Sequence, residues 1–559
     1  MNLTHNLRKI WINQKFSSFD FWKNIFKIKA KYKQTSTIVL SITAALFFLI
    51  ISSTQLTKQG LYYDELHQAT SSFAYIGQYP SQEFARLIID GIPVMNMEYS
   101  GAIKTAIYGL YLRVTGASFS VFSWRILGIL FVSFAIFLFG FIIRKTLPLL
   151  GLLSFYFLML TDLTVLLTTR HDWGPVALAL SIRLIIVAIW FKGELSSDTP
   201  LKNSFWLSFL VGISLFEKLS AITLVIPLFL MFFLSPRRRN LRHILVAIIG
   251  GIVGVSPLIF VNIYSFITTK SFISLQSAIF TQTRSWGDFI LFIKEYLSLG
   301  AGELAQNFIL GHSQHFLSII ELVQLSLMCL FIIFVVVRSR LSSNFLRLAG
   351  IMLLCYGSVV LILFFIPQNI WIHHWIIGTP FQYAAIALFL SVLKDEKKIY
   401  KYMAVILSVT IIFSRLLGLV MVEQSLIRGD ASARWDPSLT QIGEFAASKS
   451  DQAYFIAGDW GVASQMICFL NGRPGIVYEL YDSNLTVESV VNIIREGSRS
   501  EVYLVFPDPL VFITPEAKTL MIHEIEQSLA PSWQEQPVEK QVSGLRSVSV
   551  IKLEKTKSP

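Results

Sequence analysis

Stretches of about 20 apolar residues, each closed off by charged ones, recur along this chain, and a run of that length is what an α-helix needs to cross the hydrocarbon core of a bilayer. Eleven such segments are legible, at approximately 37–54, 120–143, 148–169, 174–191, 203–217, 219–235, 243–267, 316–337, 345–366, 375–393 and 402–422. The fifth and sixth nearly touch across Glu217-Lys218, so they read as one long helix, a re-entrant pair or two thin spans. Composition agrees: 54% of the residues are hydrophobic and 15% charged, with a mean hydropathy of +0.60. A soluble domain carries about 25% charge. The expected fold class is therefore mostly α, a multi-pass transmembrane helical protein.

The net charge of +12 admits nucleic acid as a partner in principle, but the positions of the cations point to topology instead. With the N-terminus inside, the cytoplasmic segments hold Arg8, Lys9, Lys15, Lys23, Lys27, Lys29, Lys31 and Lys33, then Arg144-Lys145, Lys192 and Lys202. Further along they hold Arg237-Arg238-Arg239 with Arg242, then Arg338, Arg340 and Arg347, then Lys394, Lys397, Lys398 and Lys401. The short outside loops hold almost none. This pattern expects the C-terminus outside and no nucleic-acid partner. Two of the three cysteines, Cys329 and Cys355, lie in apolar runs, so neither a disulfide framework nor a thiolate metal site is expected. The polar, basic and aromatic first 36 residues do not read as a cleavable signal peptide.

Three regions follow: a basic cytoplasmic tail at 1–36, a transmembrane region at 37–422 with large outer loops at 55–119 and 268–315, and an extracytoplasmic region at 423–559. In the tail, Trp11, Phe16, Phe19, Phe21, Trp22, Ile25 and Phe26 interleave with lysines. That suits an interfacial helix on an anionic leaflet, or an ordinary topogenic tail. The last region alternates strand-like runs (453–457, 475–478, 502–506, 547–553) with helical patterns (438–448, 487–496, 515–529), which predicts a small α/β domain.

Polar residues in such a chain are costly unless paired, hydrated or functional. They cluster at the outer boundary: Asp64, Glu65 and His67 after the first span; Arg170, His171 and Asp172 between the third and fourth; Glu217-Lys218; Arg284; and His373-His374. Sugar transfer from a lipid-linked phosphate needs one carboxylate to take the acceptor's proton and cations to hold the phosphate that leaves. Phosphate leaves unprotonated, so no general acid is required. The chain has that inventory. It lacks both His-Glu-x-x-His and the Gly-x-x-x-x-Gly-Lys-Ser/Thr loop.

An Asp-Glu pair early in a large first outer loop resembles the signature of GT-C fold glycosyltransferases. Tyr63-Asp64-Glu65-Leu66-His67 is similar to the segment found in glycosyltransferase family 39, the protein O-mannosyltransferase and aminoarabinose transferase branch. In that family the Asp is taken as the catalytic base, so the resemblance implies that role for Asp64, with Glu65 beside it. Met97-Glu98-Tyr99-Ser100-Gly101, followed by Lys104, resembles the family's second loop motif but lacks the Pro residues after the acid. The resemblance covers roughly residues 37–395. It implies an inverting transfer from a polyprenyl-phosphate-linked donor to a glycan, lipid or protein hydroxyl, on the outer face of a membrane, with a bacterial inner membrane expected. Glu98 and Asp172 are then candidates to orient acceptor or base. Arg170, Lys218, Arg284, His373 and His374 are candidates to hold the donor phosphate. No cofactor and no metal are expected.

Plainer readings stand beside these. Asp64 and Glu65 suit solvated loop acids, Asp172 suits a cap for the fourth span, and Lys218 suits a side chain snorkelling to the interface. His373 and His374, between Trp371 and Trp375, suit an aromatic belt, and Arg284 has little context. Deeper, Asp162 and Arg183 lie on adjacent antiparallel helices at depths differing by only ~6 Å, so a structural ion pair between them is expected, or an Arg reaching a lipid phosphate. Arg415 receives no role, and Asp459-Trp460-Gly461 reads as a turn. A transporter or flippase of a lipid-linked or anionic precursor is the rival function, and a non-catalytic subunit of an envelope-assembly complex a third.

Overall fold

The computed structural model describes residues 30–79, 85–196, 199–275, 284–339, 343–366, 370–392, 398–481 and 485–556, with side chains from residue 35 onward. The aromatic and basic stretch from Trp11 to Phe26 lies outside them.

All eleven apolar segments are helical, yet they are not equivalent. Among the described residues eight helices are long and apolar enough to cross a membrane, Val121–Ile143, Val176–Leu195, Leu241–Thr269 and Lys398–Arg428 being four of them. Leu149–Leu160 and Leu163–His171 form a ninth candidate only as a pair bent by 59°. Leu201–Glu217 spans 17 residues, about 25 Å at 1.5 Å per residue, which falls short of a hydrocarbon core of about 30 Å. Beyond Lys218 the chain continues as a short 3-10 turn and the helix Val225–Phe233. Thus, among the described residues, eight helices meet the length and composition for a span, or nine with the bent pair, against the eleven apolar segments of the sequence.

Small residues let these helices approach. On Leu241–Thr269, Gly250 and Gly254 stand four apart and face Leu201–Glu217, where added Cβ atoms would lie 2.3 Å from the Phe205 carbonyl oxygen and 2.2 Å from that of Phe209. Close backbone contact of this kind drives helix association where lipid removes the hydrophobic driving force.

The bend at Asp162 has a definable chemistry, and it corrects the expected Asp162–Arg183 pair. Asp162 caps the second half of the bent pair by accepting the Val165 N–H at 2.9 Å, and its other oxygen accepts the Tyr383 hydroxyl at 2.6 Å. Its cationic neighbour is Arg415, at 3.6 Å, which also binds Glu321 at 2.6 Å and donates to the Leu158 carbonyl at 2.8 Å. Arg415, on the last long helix, therefore satisfies both the carboxylates and a carbonyl that the broken helix frees. Depth matched for Arg183, but its side chain faces elsewhere.

In the first outer loop, helix Tyr63–Thr70 is followed by an antiparallel hairpin, Leu87–Ile89 with Ile92–Met97 and Ser100–Gly101, then by helix Ile103–Thr115. The C-terminal region is a five-stranded sheet flanked by helices, as its alternation of elements predicts. Val477–Glu479, Ala453–Ala457 and Glu501–Pro507 run parallel, Val548–Lys555 pairs antiparallel with Glu501–Pro507, and Trp533–Gln536 pairs antiparallel with Val548–Lys555 at the edge. The last of these, Trp-Gln-Glu-Gln, lacks the apolar alternation that marks a strand and is found only in the structure. Asp459-Trp460-Gly461 forms a turn, its buried Asp459 carboxylate accepting the backbone N–H of Trp460 at 2.8 Å and of Val511 at 2.7 Å.

Candidate active site

Helix Tyr63–Thr70 begins with Asp64 and Glu65 in its first turn, where the helix dipole favours carboxylates. Adjacent helical residues do not share a face, so the two acids point into different surroundings.

Glu65 faces inward and is fully buried. Arg125, from the start of the second span, grips it in two-pronged fashion, Nε to Oε2 at 2.9 Å and Nη2 to Oε1 at 2.8 Å. The remaining Arg125 donors bind the carbonyls of Leu56 at 2.8 Å, Gln59 at 2.9 Å and Gly60 at 2.6 Å. Trp435, from the C-terminal region, donates its indole N–H to Glu65 Oε1 at 2.5 Å. Burial raises the Glu65 carboxyl and the Arg125 charge opposes it. Gly60 sits where no side chain fits, since a Cβ there would lie 1.9 Å from the Asp436 carbonyl oxygen. Three separate parts of the chain are thereby locked at one acid.

Asp64 is half-buried and takes no comparable ion pair among the described residues. Its carboxyl is pushed up to about 6, chiefly by loss of water, against the opposing pull of the Lys218 charge, a hydrogen bond from the Trp173 indole and the charge of Arg434. A carboxylate held there is largely ionised at neutral pH and basic enough to accept a proton.

Lys218 stands opposite. It is 6% exposed, and its ammonium donates to the Gly174 carbonyl at 2.9 Å. The backbone at this helix break is stitched to the first outer loop: Ser100 and Lys218 form an antiparallel bridge, and the Leu219 N–H donates to the Tyr99 carbonyl at 3.0 Å. The Glu98-Tyr99 turn is thus anchored beside Lys218, with Glu98 paired to Arg86 at 3.2 Å. Asp172 caps helix Val176–Leu195 through the Ala177 N–H at 2.8 Å, and its second oxygen is bound by the buried Lys104 ammonium. Lys104 also lies 3.7 Å from the centre of the Trp124 ring.

His373 meets the Trp173 ring edge-on at 5.1 Å and lies against His374 at 4.1 Å, the two rings tilted by 48°. His374 accepts the Trp371 N–H at 3.0 Å. Both rings feel the charges of Lys218 and Arg183. The two remaining candidate cations are engaged with main chain. Arg170 donates to the carbonyls of Ser52 at 3.1 Å and Gln55 at 2.7 Å, closing the end of the first span. Arg284 donates to the carbonyls of Phe364 at 2.9 Å and of Ile366, closing the end of Asn344–Phe365.

An aromatic cluster walls this region. Tyr62 packs against Trp435 at 4.6 Å, Phe308 at 6.1 Å and Trp460 at 6.1 Å, while Tyr63 packs on Trp460 at 4.2 Å. Arg434 covers the face of Phe308 at 4.4 Å. Hence the C-terminal region contributes Arg434, Trp435 and Trp460 to the surroundings of Asp64, none of which sequence reading had singled out for the site. Arg125 was missed too, although an arginine inside an apolar run was a usable signal. Among the described residues no three His, Cys, Asp or Glu side chains converge as metal ligands.

No family model matches the sequence, and no curated protein matches it significantly. Its fold, however, is that of solved structures. The crystal structure of ArnT from Cupriavidus metallidurans bound to undecaprenyl phosphate superposes with a TM-score of 0.55 at 11% identity, covering 93% of this chain and 98% of that one. The same protein in the apo state gives a TM-score of 0.56 at 11% identity, with the same coverage. The chain has the GT-C type fold expected from the Asp-Glu segment and the helix layout.

Proposed function

We propose that the protein is a membrane glycosyltransferase, moving a sugar from a polyprenyl-phosphate-linked donor to an acceptor hydroxyl at the extracytoplasmic face of a bacterial inner membrane. The observation that carries this reading is the pairing of Asp64, raised to about 6 and facing Lys218, with a fold shared by a protein whose crystal structure holds undecaprenyl phosphate.

In this mechanism Asp64 accepts the acceptor proton as the hydroxyl oxygen attacks the anomeric carbon from the side opposite the phosphate. The carbon–oxygen bond to phosphate breaks, its electron pair stays on the phosphate oxygen, and configuration inverts. Lys218, with His373 and His374, holds the phosphate as its charge grows. Glu98 is a candidate to orient the acceptor, whereas Asp172, held by Lys104 and the Ala177 N–H, would act by positioning the start of helix Val176–Leu195. Glu65 acts through its clamp, fixing the helix that carries Asp64. Arg170 and Arg284 each donate to carbonyls at a helix end, so they contribute to positioning those ends.

The test is transfer from a panel of radiolabelled polyprenyl-phosphate sugars in membranes holding the wild type or Asp64→Asn at equal level. Transfer that collapses in the variant supports both class and base. Equal transfer by both removes the base assignment. Export of an intact lipid-linked precursor without transfer would favour the flippase reading instead.

A further inference from the structure

Arg183 sits seven residues into helix Val176–Leu195, about 10 Å below its outer end, and is 3% exposed. Its Nε and Nη1 have no hydrogen-bond partner, and among the described residues no carboxylate pairs with it. The other deeply buried arginines differ. Arg125, Arg238 and Arg415 each grip a carboxylate, and Arg170 is held by carbonyls. An unpaired guanidinium at this depth is costly, and such costs are tolerated where a ligand completes the site.

The surroundings name that ligand's charge. Arg183 acts electrostatically on Lys218, at the end of helix Leu201–Glu217, and on His373 and His374, so its field reaches cation-capable groups on two other segments. His373 contributes a further unsatisfied buried nitrogen, Nδ1. Asp64, Asp172 and Glu217 draw on Lys218, but Arg183 itself repels Lys218 and both of the histidine rings when they are charged, and a bound anion would offset that repulsion.

We infer that Arg183 is a phosphate ligand, which together with Lys218 and His373 seats the phosphate of the polyprenyl donor and of its product from inside the helical bundle. The inference rests on the proposed function and adds to it a residue that lies below the outer edge. When the sugar leaves, the donor's phosphodiester, with one negative charge, becomes a phosphate monoester able to carry two. A preplaced guanidinium therefore binds the departing group more strongly than the intact donor, which lowers the barrier.

The full chain in lipid nanodiscs provides the test, with undecaprenyl phosphate as probe and undecaprenol as the control lacking phosphate. Wild type, Arg183→Met and Arg183→Lys are compared for binding of each lipid and for thermal unfolding without ligand. The expected result is that Arg183→Met weakens undecaprenyl phosphate binding about 10- to 100-fold, leaves undecaprenol binding unchanged, and unfolds no earlier than wild type. Arg183→Lys should fall between. A residue serving only the fold would do the reverse: unchanged phosphate preference, with unfolding at lower temperature or no folded Arg183→Met at all. Either result overturns the inference. A wild type that binds both lipids equally overturns the proposed function along with it, whereas a preference kept in Arg183→Met overturns the inference alone.

Discussion

Asp64 and Glu65 are neighbours in sequence and opposites in environment: Glu65 is fully buried in a two-pronged grip from Arg125, while Asp64 is half-buried and faces Lys218. One hundred degrees of helical rotation separates the gripped acid from the proposed base.

Asp64→Asn keeps shape and removes the proton acceptor. Glycosyl transfer is expected to fall by about 10²- to 10⁴-fold at unchanged protein level, measured as radiolabelled product in membranes. In the wild type, transfer should rise with pH and level off above about 6, the value to which the Asp64 carboxyl is raised. An acid limb near the ordinary carboxylate value would show that another group limits the rate.

The same raised carboxyl has a stability consequence. Between its ordinary value of 3.8 and about 6, the folded chain binds more protons at Asp64 than the unfolded chain does. Its contribution is therefore fully present below that window and is lost as pH rises through it. Asp64→Asn should flatten this part of the pH dependence of thermal unfolding in detergent, and a difference curve with the opposite slope would refute the assignment.

Glu65→Gln leaves Arg125 buried beside a neutral partner, so a loss of about 3–5 kcal/mol is expected. Adding Arg125→Met should recover part of that loss, because two desolvated charges are then removed together. Unfolding midpoints of the two single variants and the double variant close the cycle. Simple additivity would mean that the ion pair does not hold the first loop in place.

Gly254→Leu tests the close helix crossing. A side chain there meets the Phe209 carbonyl, so helices Leu201–Glu217 and Leu241–Thr269 must separate, at a cost of about 1–3 kcal/mol. Since Lys218 ends the first of these helices, transfer should fall more than the loss of folded protein accounts for. Gly251→Ala, which meets only Ser208 Cβ at 3.8 Å, should be nearly silent in both readouts.

What could be read before the structure depended on range. Apolar runs located the helices, because burial in lipid is decided residue by residue. The Tyr63-Asp64-Glu65 segment marked a candidate site, since acids just beyond a span are rare and local. Pairing across the fold was another matter: Asp162 was matched to Arg183 on depth alone, and the true partner, Arg415, comes from the last long helix. Depth does not specify which face of a helix a side chain occupies.

By itself the sequence determined a helical membrane protein, the candidate base and the α/β character of the C-terminal region, because hydropathy and local periodicity are properties of neighbouring residues. The tertiary structure alone decided that Arg125 grips Glu65, that Arg170 and Arg284 donate to carbonyls at helix ends, that Arg183 Nε and Nη1 have no hydrogen-bond partner among the described residues, and that Trp435 reaches Glu65 across 370 residues. Those outcomes depend on where helices cross and rotate, and a charge's role follows from the partner that packing brings within hydrogen-bond reach.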